Sequence, residues 1–459
     1  MIPIVTPAEM ASIDAAAPEP VEVLIGRAGA AVARAAIEML GGTYGRRVVV
    51  LAGKGNNGND GRDAARRLRR RGVRVAEVDA HDAPPELPRA DLVIDAAFGT
   101  GFRGSWRAPD VSAPVLAVDI PSGVDGLTGA VSERVLAAER TVTFAALKPG
   151  LLLGRGRELA GEIELVDIGL DVSTASAWLV TDDDVAAVLP PRSADAHKWK
   201  AAVWIAAGSP GMTGAAHLSA RGAQRAGAGY VRLGTPGVAH DERAPEEVVG
   251  HPLGQTGWAR EVLGDLGRFR ALVVGPGLGR EPATLDEVVA LVDSAPIPMV
   301  LDGDGLHAVP ENPAIARDRA WPLVLTPHDG EYEALAGHPP QADRLEAART
   351  LARDLRAVVL LKGSATVIAD ETGRVLVADE GDPRLATAGT GDVLSGIIGA
   401  FLARGVPALE AAATGAFVHG RAGTLGWADG LVAGDLPDLV PAVLDLLEPA
   451  RSLDADLRP

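Results

Sequence analysis

The chain has 459 residues, enough for two hydrophobic cores, with 47% hydrophobic and only 3% aromatic residues. A formal net charge of −17 argues against nucleic acid or an anionic membrane as main partner, so bound anions must be held by local devices such as helix N-termini. The absence of cysteine excludes disulfides, thiolate metal sites and cysteine catalysis.

The opening "MIPIVTPAEMASID" has no basic segment and no apolar run of about 20 residues, so neither a signal peptide nor a membrane span is expected and the cytoplasm is the default. Residues 1–45 read as helices, the first capped by Thr6. Short apolar runs then alternate with helical patterns. "RVVVLAG", "VRVAEVD", "ADLVIDAAFG", "APVLAVDIPSG", "RTVTFAALKPG" and "GEIELVDIGL" are the strands expected, each closing on a turn. Such alternation predicts an α/β unit around a largely parallel sheet. The pattern breaks between 171 and about 198, which suggests domains of 1–175 and 176–452. It restarts with "AAVWIAAG", the helix "GAAHLSARGAQRAG", and the buried runs of "ALVVGPGLG", "PMVLDGDG", "LVLTPHDGE" and "AVVLLKGSATVIAD". From Asp392 onward the chain reads as helical.

In an open parallel sheet, ligands sit beyond the carboxyl ends of the strands. Four polar turns of the first half fall there: "GKGNNGNDG", "DAAFGTGFRGS", "DIPSGVDG" and "LKPG". The first is neither a Walker loop nor a GxGxxG fingerprint. Each alone can simply serve positions of positive φ, but four on one rim point to a site. Asn57, Asp95 and Ser122 offer oxygen donors of low charge, which suit a weakly hydrated monovalent cation better than zinc. Asp119 directly follows "VLAV". At a buried strand end it is either a candidate acid or base, with a raised pKa unless paired, or a cap for its own turn.

These four motifs, in this order, resemble the NAD(P)H-hydrate epimerase family over residues 1 to about 170. The resemblance implies a Rossmann-like three-layer α/β/α domain. It implies that Asn56, Asn57, Gly58, Asn59 and Asp60, and Gly99, Thr100, Gly101, Phe102, Arg103, Gly104 and Ser105, bind the hydrated dinucleotide together with Asp119. It also implies that Asn57, Asp95 and Ser122 hold K+ and that Asp119 is catalytic. Asn59 stands where the family usually has glycine, and asparagine is among the residues most tolerant of positive φ.

In the second half, "TAGTGD" and "LKGSAT" are the strongest pair. Gly389 and Gly391 allow close approach of a phosphate to a helix N-terminus, and Lys362 follows a strand and precedes small residues. An N-cap by Asp392 or Thr390 is the plain alternative. His328, in "LTPHDGE", reads as a core or cap histidine or as a substrate contact. The pair His197–Lys198 is either incidental or reaches over the site.

With "GSPGMTGAA", "GPGLG", "LDGDGL" and "GAFVHGRAG", this half resembles the ADP- or ATP-dependent NAD(P)H-hydrate dehydratase family over about 180–450. The resemblance implies a ribokinase-like three-layer α/β/α domain. It implies hydrate contacts at Ala215, Gly277, His328 and Asp392, and nucleotide contacts at Lys362, Gly363, Ser364, Ala365, Thr366 and Gly391. Departures from the family are "HKWK" for HKG, "AGS" for GGS, "LDGDGLH" for LDADALN and "HDGE" for HPGE. The first places Trp199 where it would reshape the entrance.

The tandem of motifs implies repair of hydrated NADH and NADPH. The first half would interconvert the R and S epimers, and the second would dehydrate the S form at the expense of ADP or ATP with Mg2+. Asp392 would be the base for a transient phosphorylation. The rivals are a ribokinase-like small-molecule kinase, which accumulates a phosphate ester, and a non-catalytic first half. The partners expected are the hydrate and an adenine nucleotide, with no nucleic acid and no membrane; a homo-oligomer is compatible with this reading.

Overall fold

The computed structural model describes residues 1–191 and 195–447. Residues 192–194 of the expected boundary, and the expected end of the second domain at 452, lie outside them. The chain separates into two compact units, Ile2–Ala177 and Trp178 onward with Met1. No described helix is long and apolar enough to cross a membrane.

In the first unit, Thr6 caps helix α1 (Pro7–Ala16) as expected, within a capping box completed by Glu9. The residues before it are not helical. Ile2–Ile4 is extended, and Val5 N donates to Leu147 O at 2.9 Å. Helix α2 (Val21–Leu40) buries a stripe of alanines and ends on Gly41 at φ +62°. Strands β1 (Arg47–Ala52), β2 (Arg74–Asp79), β3 (Leu92–Ala96), β4 (Val115–Val118), β5 (Arg140–Phe144) and β6 (Glu162–Val166) form one parallel sheet. Its order is β2-β1-β3-β4-β5-β6. The chain leaves β1 toward β2 and later returns on its other side as β3. The carboxyl ends of β1 and β3 therefore flank the topological switch point, where a crevice opens. The glycine–asparagine loop and helix α3 (Asn56–Arg70) follow β1, and the "DAAFGTG" loop follows β3.

The second unit repeats this logic on a larger sheet. Strands β7 (Ala202–Ala206), β8 (Tyr230–Pro236), β9 (Val249–Leu253), β10 (Ala271–Val274), β11 (Met299–Leu301), β12 (Leu323–Leu325), β13 (Val358–Leu361), β14 (Thr366–Ala369) and β15 (Val375–Ala378) lie in the order β15-β14-β13-β12-β11-β10-β7-β8-β9. Pairing is parallel from β9 to β13 and antiparallel from β13 to β15. The switch point lies between β7 and β10. "AVVLLKGSATVIAD" is not one strand followed by a turn. It folds back on itself, with Leu361 opposite Val367, so Lys362–Ala365 form the tip of a hairpin. Three strands have no counterpart in the sequence reading. One of them, β9, carries Gly250 and Pro252 at the sheet edge and is mostly exposed, so it lacks the apolar run of a buried strand.

Helix α4 (Thr213–Arg225) follows β7, and helix α5 (Thr390–Ala403) is buried over most of its length. They cross at glycines. A Cβ on Gly396 would lie 1.9 Å from Ser219 O, and one on Gly222 would lie 2.4 Å from Val393 O. This crossing fixes the N-termini of both helices at the same rim. Gly396→Ala should therefore destabilise the second unit by about 1–3 kcal/mol through overpacking, read as a lower urea midpoint for its unfolding transition.

Candidate active sites

The first site is a cavity of about 580 Å3 lined by Asn56, Asn57, Asp60, Gly99, Thr100 and Asp119, among others. Helix α3 enters it without a side-chain cap, from Gly55, leaving its first N–H groups free of side-chain partners. Asp119 lies at the end of β4 with φ +67°, where Ile120 N donates to Val118 O at 2.8 Å. This is a three-residue turn rarely accepted by a residue with a Cβ. Ala145 makes the same turn at the end of β5 (φ +64°), with Ala146 N donating to Phe144 O at 2.7 Å.

The carboxylate of Asp119 does not cap its own turn. Its Oδ1 lies 2.7 Å from Lys148 Nζ and accepts from Thr143 Oγ1 at 3.3 Å, and its Oδ2 accepts from Thr100 N at 3.3 Å. Lys148 is 1% exposed and also donates to Thr143 Oγ1 and Phe144 O, each at 2.9 Å, so all three of its N–H donors are used. The lysine was missed in the sequence. It follows an apolar strand run at the same rim, the signal that singles out Asp119.

Beneath the cavity, Asp95 is fully buried, accepting from Ser122 N at 2.9 Å and Ala97 N at 3.4 Å. Burial raises its pKa. No cationic side chain among the described residues pairs with it. Ser122 Oγ accepts from Phe98 N at 2.9 Å. Both amide atoms of Asn57 are buried without a partner. A buried carboxyl group and a buried amide without partners are both groups that a bound cation would satisfy.

Of the other residues expected to bind substrate, Gly101 and Phe102 also line this cavity. Arg103, Gly104 and Ser105 line a second one of about 370 Å3, which Phe102 joins. Gly58 and Asn59 do not line either cavity. Gly58 lies against Gly53 O, and the Asn59 side chain accepts from Arg62 at 3.4 Å.

The second site gathers around Lys362. Its Nζ lies 2.7 Å from Asp302 Oδ1 and 3.9 Å from Glu331 Oε2. Asp302 is 2% exposed and accepts from Thr326 Oγ1 at 2.6 Å. Like Asp119 it directly follows a strand, and like Lys148 it was missed. Gly391 lies beside the lysine, since a Cβ there would sit 3.3 Å from Nζ. Helix α5 begins at Gly389 (φ +94°) with no side-chain cap. Thr390 Oγ1 instead donates to Leu385 O at 2.9 Å and Thr387 O at 3.1 Å. The cap reading of "GTGD" is thereby excluded, and the free N–H groups face the rim. Asp392, in the first turn, is pushed up to about 7, chiefly by burial and then by the Asp302 charge.

Ala215 and Gly277 come together at the switch point, where a Cβ on Gly277 would lie 2.9 Å from that of Ala215. Ser209 Oγ donates to Gly277 O at 2.9 Å. His328 is a cap: its Nδ1 accepts from Gly330 N at 3.0 Å and Glu331 N at 3.2 Å, while its side chain stays 61% exposed. In the neutral ring the proton is thus on Nε2, which lies 3.6 Å from Glu331 Oε1. Gly363 and Ser364 form the hairpin tip, with Ala365 buried and Thr366 opening β14. Arg344 Nη2 holds the tip by donating to Lys362 O at 2.8 Å.

Trp199 does not shape an entrance. It precedes β7, at the amino ends of the parallel strands, where it stacks on Tyr230 at 4.5 Å and meets Phe269 at 5.9 Å. His197 and Lys198 share that end, opposite the loops of the site.

Two α/β/α units in tandem, each with a lysine-paired carboxylate at the carboxyl ends of its parallel strands, define a two-site enzyme whose second unit is ribokinase-like. Family models match accordingly: "YjeF-related protein N-terminus" over residues 21–80 and 75–150, and "NAD(P)H-hydrate dehydratase" over 203–443. The chain is 36% identical to the bifunctional NAD(P)H-hydrate repair enzyme of Moorella thermoacetica over 97% of both chains. It is 32% identical to that of Escherichia coli over 82% of this chain and 80% of the relative. A Bacillus subtilis ADP/ATP-dependent NAD(P)H-hydrate dehydratase, co-crystallised with ATP and Mg2+, is 31% identical with a TM-score of 0.50, covering 58% of this chain and 97% of that one. A ribokinase-like protein from Enterococcus faecalis shares the fold, at 20% identity and a TM-score of 0.51 over 59% of this chain and 96% of its own. The chain belongs to the bifunctional NAD(P)H-hydrate repair enzyme family.

Lys148→Met would leave the Asp119 carboxylate without its cation. The substitution should destabilise the first unit by about 3 kcal/mol, seen as an earlier urea transition by circular dichroism.

Proposed function

We infer that the chain restores hydrated NADH and NADPH, with residues 1–175 interconverting the R and S epimers and residues 176–452 dehydrating the S form. The observation that carries this reading is the pairing of two sites on one chain. Each sets a lysine-bound carboxylate beside an uncapped, glycine-started helix at the carboxyl ends of parallel strands. Such helix starts suit the phosphates of a dinucleotide and of a phosphoryl donor.

In the second unit, Gly391 and Lys362 hold the transferring phosphoryl group by position and charge, with the hairpin tip from Gly363 to Thr366 beside the nucleotide. Asp392 takes the proton from the hydroxyl on the carbon next to the ring nitrogen, and that oxygen becomes phosphorylated. The nitrogen lone pair then expels phosphate, and loss of a neighbouring proton restores the dihydropyridine. Ala215 and Gly277 shape the hydrate's seat, and the exposed His328 ring contacts it. Among the described residues no cluster of three or more His, Asp or Glu side chains is placed to hold a metal ion, so Mg2+ enters as a companion of the phosphates.

In the first unit, Asp119 moves a proton at the same carbon. Asn57, Asp95 and Ser122 would hold K+, which would offset the buried Asp95 charge and fix the loops around the hydrate. A cytoplasmic place belongs to the same proposal, since the reduced dinucleotides to be restored reside there.

The test is recovery of the reduced-nicotinamide absorbance from mixed NADH-hydrate epimers, with Mg2+ and either ADP or ATP. Full recovery with one nucleotide, lost in Asp392→Ala, is expected and names the donor. A phosphate ester accumulating in place of recovery would instead identify a small-molecule kinase.

A base must be ionised to act, and Asp392 titrates at about 7. Dehydration should therefore fall about tenfold per pH unit below that value and level off above it, checked by kcat/KM from pH 5 to 9.

A further inference from the structure

Four acids line the first cavity: Asp14, Glu19, Asp60 and Asp119. Asp119 is held by Lys148, Glu19 lies 3.4 Å from Arg27 Nη1, and Asp14 is exposed. Asp60 differs from all three. It is 8% exposed, and no described residue donates a hydrogen bond to its carboxyl or pairs with it. It stands on the face of α3 that carries Asn57, three residues on. The space a Cβ would take at Gly99 is bounded by Asp119 Oδ2 at 3.1 Å and Asn57 Cβ at 3.5 Å. The helix and the strand end thus present Asp60 and Asp119 to one cavity.

A buried carboxyl group without a donor is far less costly as the acid than as the anion. Burial and then the charges of Asp119, Asp63 and Asp14 push Asp60 up to about 8. The cavity's other walls bring Lys54, His81 and Lys148, the last already taken by Asp119. Two carboxyl groups with opposed environments at one site divide naturally into an acid and a base.

We propose that Asp60 is the general acid of the first site and works opposite Asp119; the proposal rests on the epimerase reading. Asp60 gives its proton to the hydroxyl on the carbon beside the ring nitrogen. The C–O bond breaks, its electron pair leaves with water, and the nitrogen lone pair forms the iminium. A water then adds to the other face of that carbon, forming a new C–O bond, and Asp119 takes its proton. Solvent carries a proton from Asp119 back to Asp60. One water leaves and one enters, no electrons are gained or lost, and the carbon is inverted.

The experiment follows conversion of one purified NADH-hydrate epimer into the other, without nucleotide, in water enriched in oxygen-18. It uses the full-length chain as wild type, Asp60→Asn and Asp60→Glu. The asparagine is neutral and nearly isosteric, so an unchanged Tm checks the fold. The wild type should incorporate label at each inversion, and its kcat should fall above pH about 8 as Asp60 ionises. Asp60→Asn should lose about 100-fold in kcat with KM little changed and should lack that alkaline fall. Asp60→Glu should recover part of the rate. A wild type that does not epimerise sinks the epimerase reading itself. An active wild type with Asp60→Asn within about threefold of it overturns the acid role alone, as does inversion without label.

Discussion

Both sites depend on backbone meeting backbone where a side chain would intervene. A Cβ at Gly53 would lie 1.9 Å from Ala97 O, which ties the loop after β1 to the loop after β3. A Cβ at Gly275 would lie 1.8 Å from Asp302 O, which ties the loop after β10 to the loop after β11. In each unit this contact sits at the switch point or beside it, drawing loops distant in sequence to within reach of one ligand. The abundance of glycine, 55 residues, thus reflects packing as well as turns.

Charge is then arranged on that frame in a common way. Lys148 and Lys362 each neutralise a carboxylate that directly follows a strand, Asp119 and Asp302 respectively. Each pair leaves a second carboxyl group nearby without a cation of its own. Burial raises Asp60 to about 8 and Asp392 to about 7, so both titrate close to neutrality. A protein with a formal charge of −17 therefore works through local lysines and helix starts rather than through a basic surface.

The two units apply this design to the same carbon of one damaged ring. Inversion exchanges one water for another with proton transfers and no net chemistry, and a cavity with two carboxyl groups suits it. Irreversible dehydration needs a better leaving group than hydroxide, hence a nucleotide. On the proposed reading, the uncapped start of helix α5, set against Lys362, would supply electrostatic support for phosphoryl transfer.

Much of this was legible in the chain. Strand runs, their closing turns, the Thr6 cap, and the rim positions of Asn57, Asp95, Asp119, Lys362 and Asp392 follow from local pattern, because apolar period and glycine placement are local properties. The hairpin at Lys362–Ala365 was hidden, since two buried strands joined by a short loop read as one apolar run. Trp199, read as reshaping the entrance, lies instead with Tyr230 and Phe269 at the amino ends of the strands, because strand direction is not a local property of the sequence. Above all, partners were invisible. The chain names acids and lysines, but only the fold brings Lys148 onto Asp119 and Lys362 onto Asp302, and leaves Asp60 buried without a donor. Protonation depends on what surrounds a group in space, and the residues that surround these come from strands and helices far apart in the sequence.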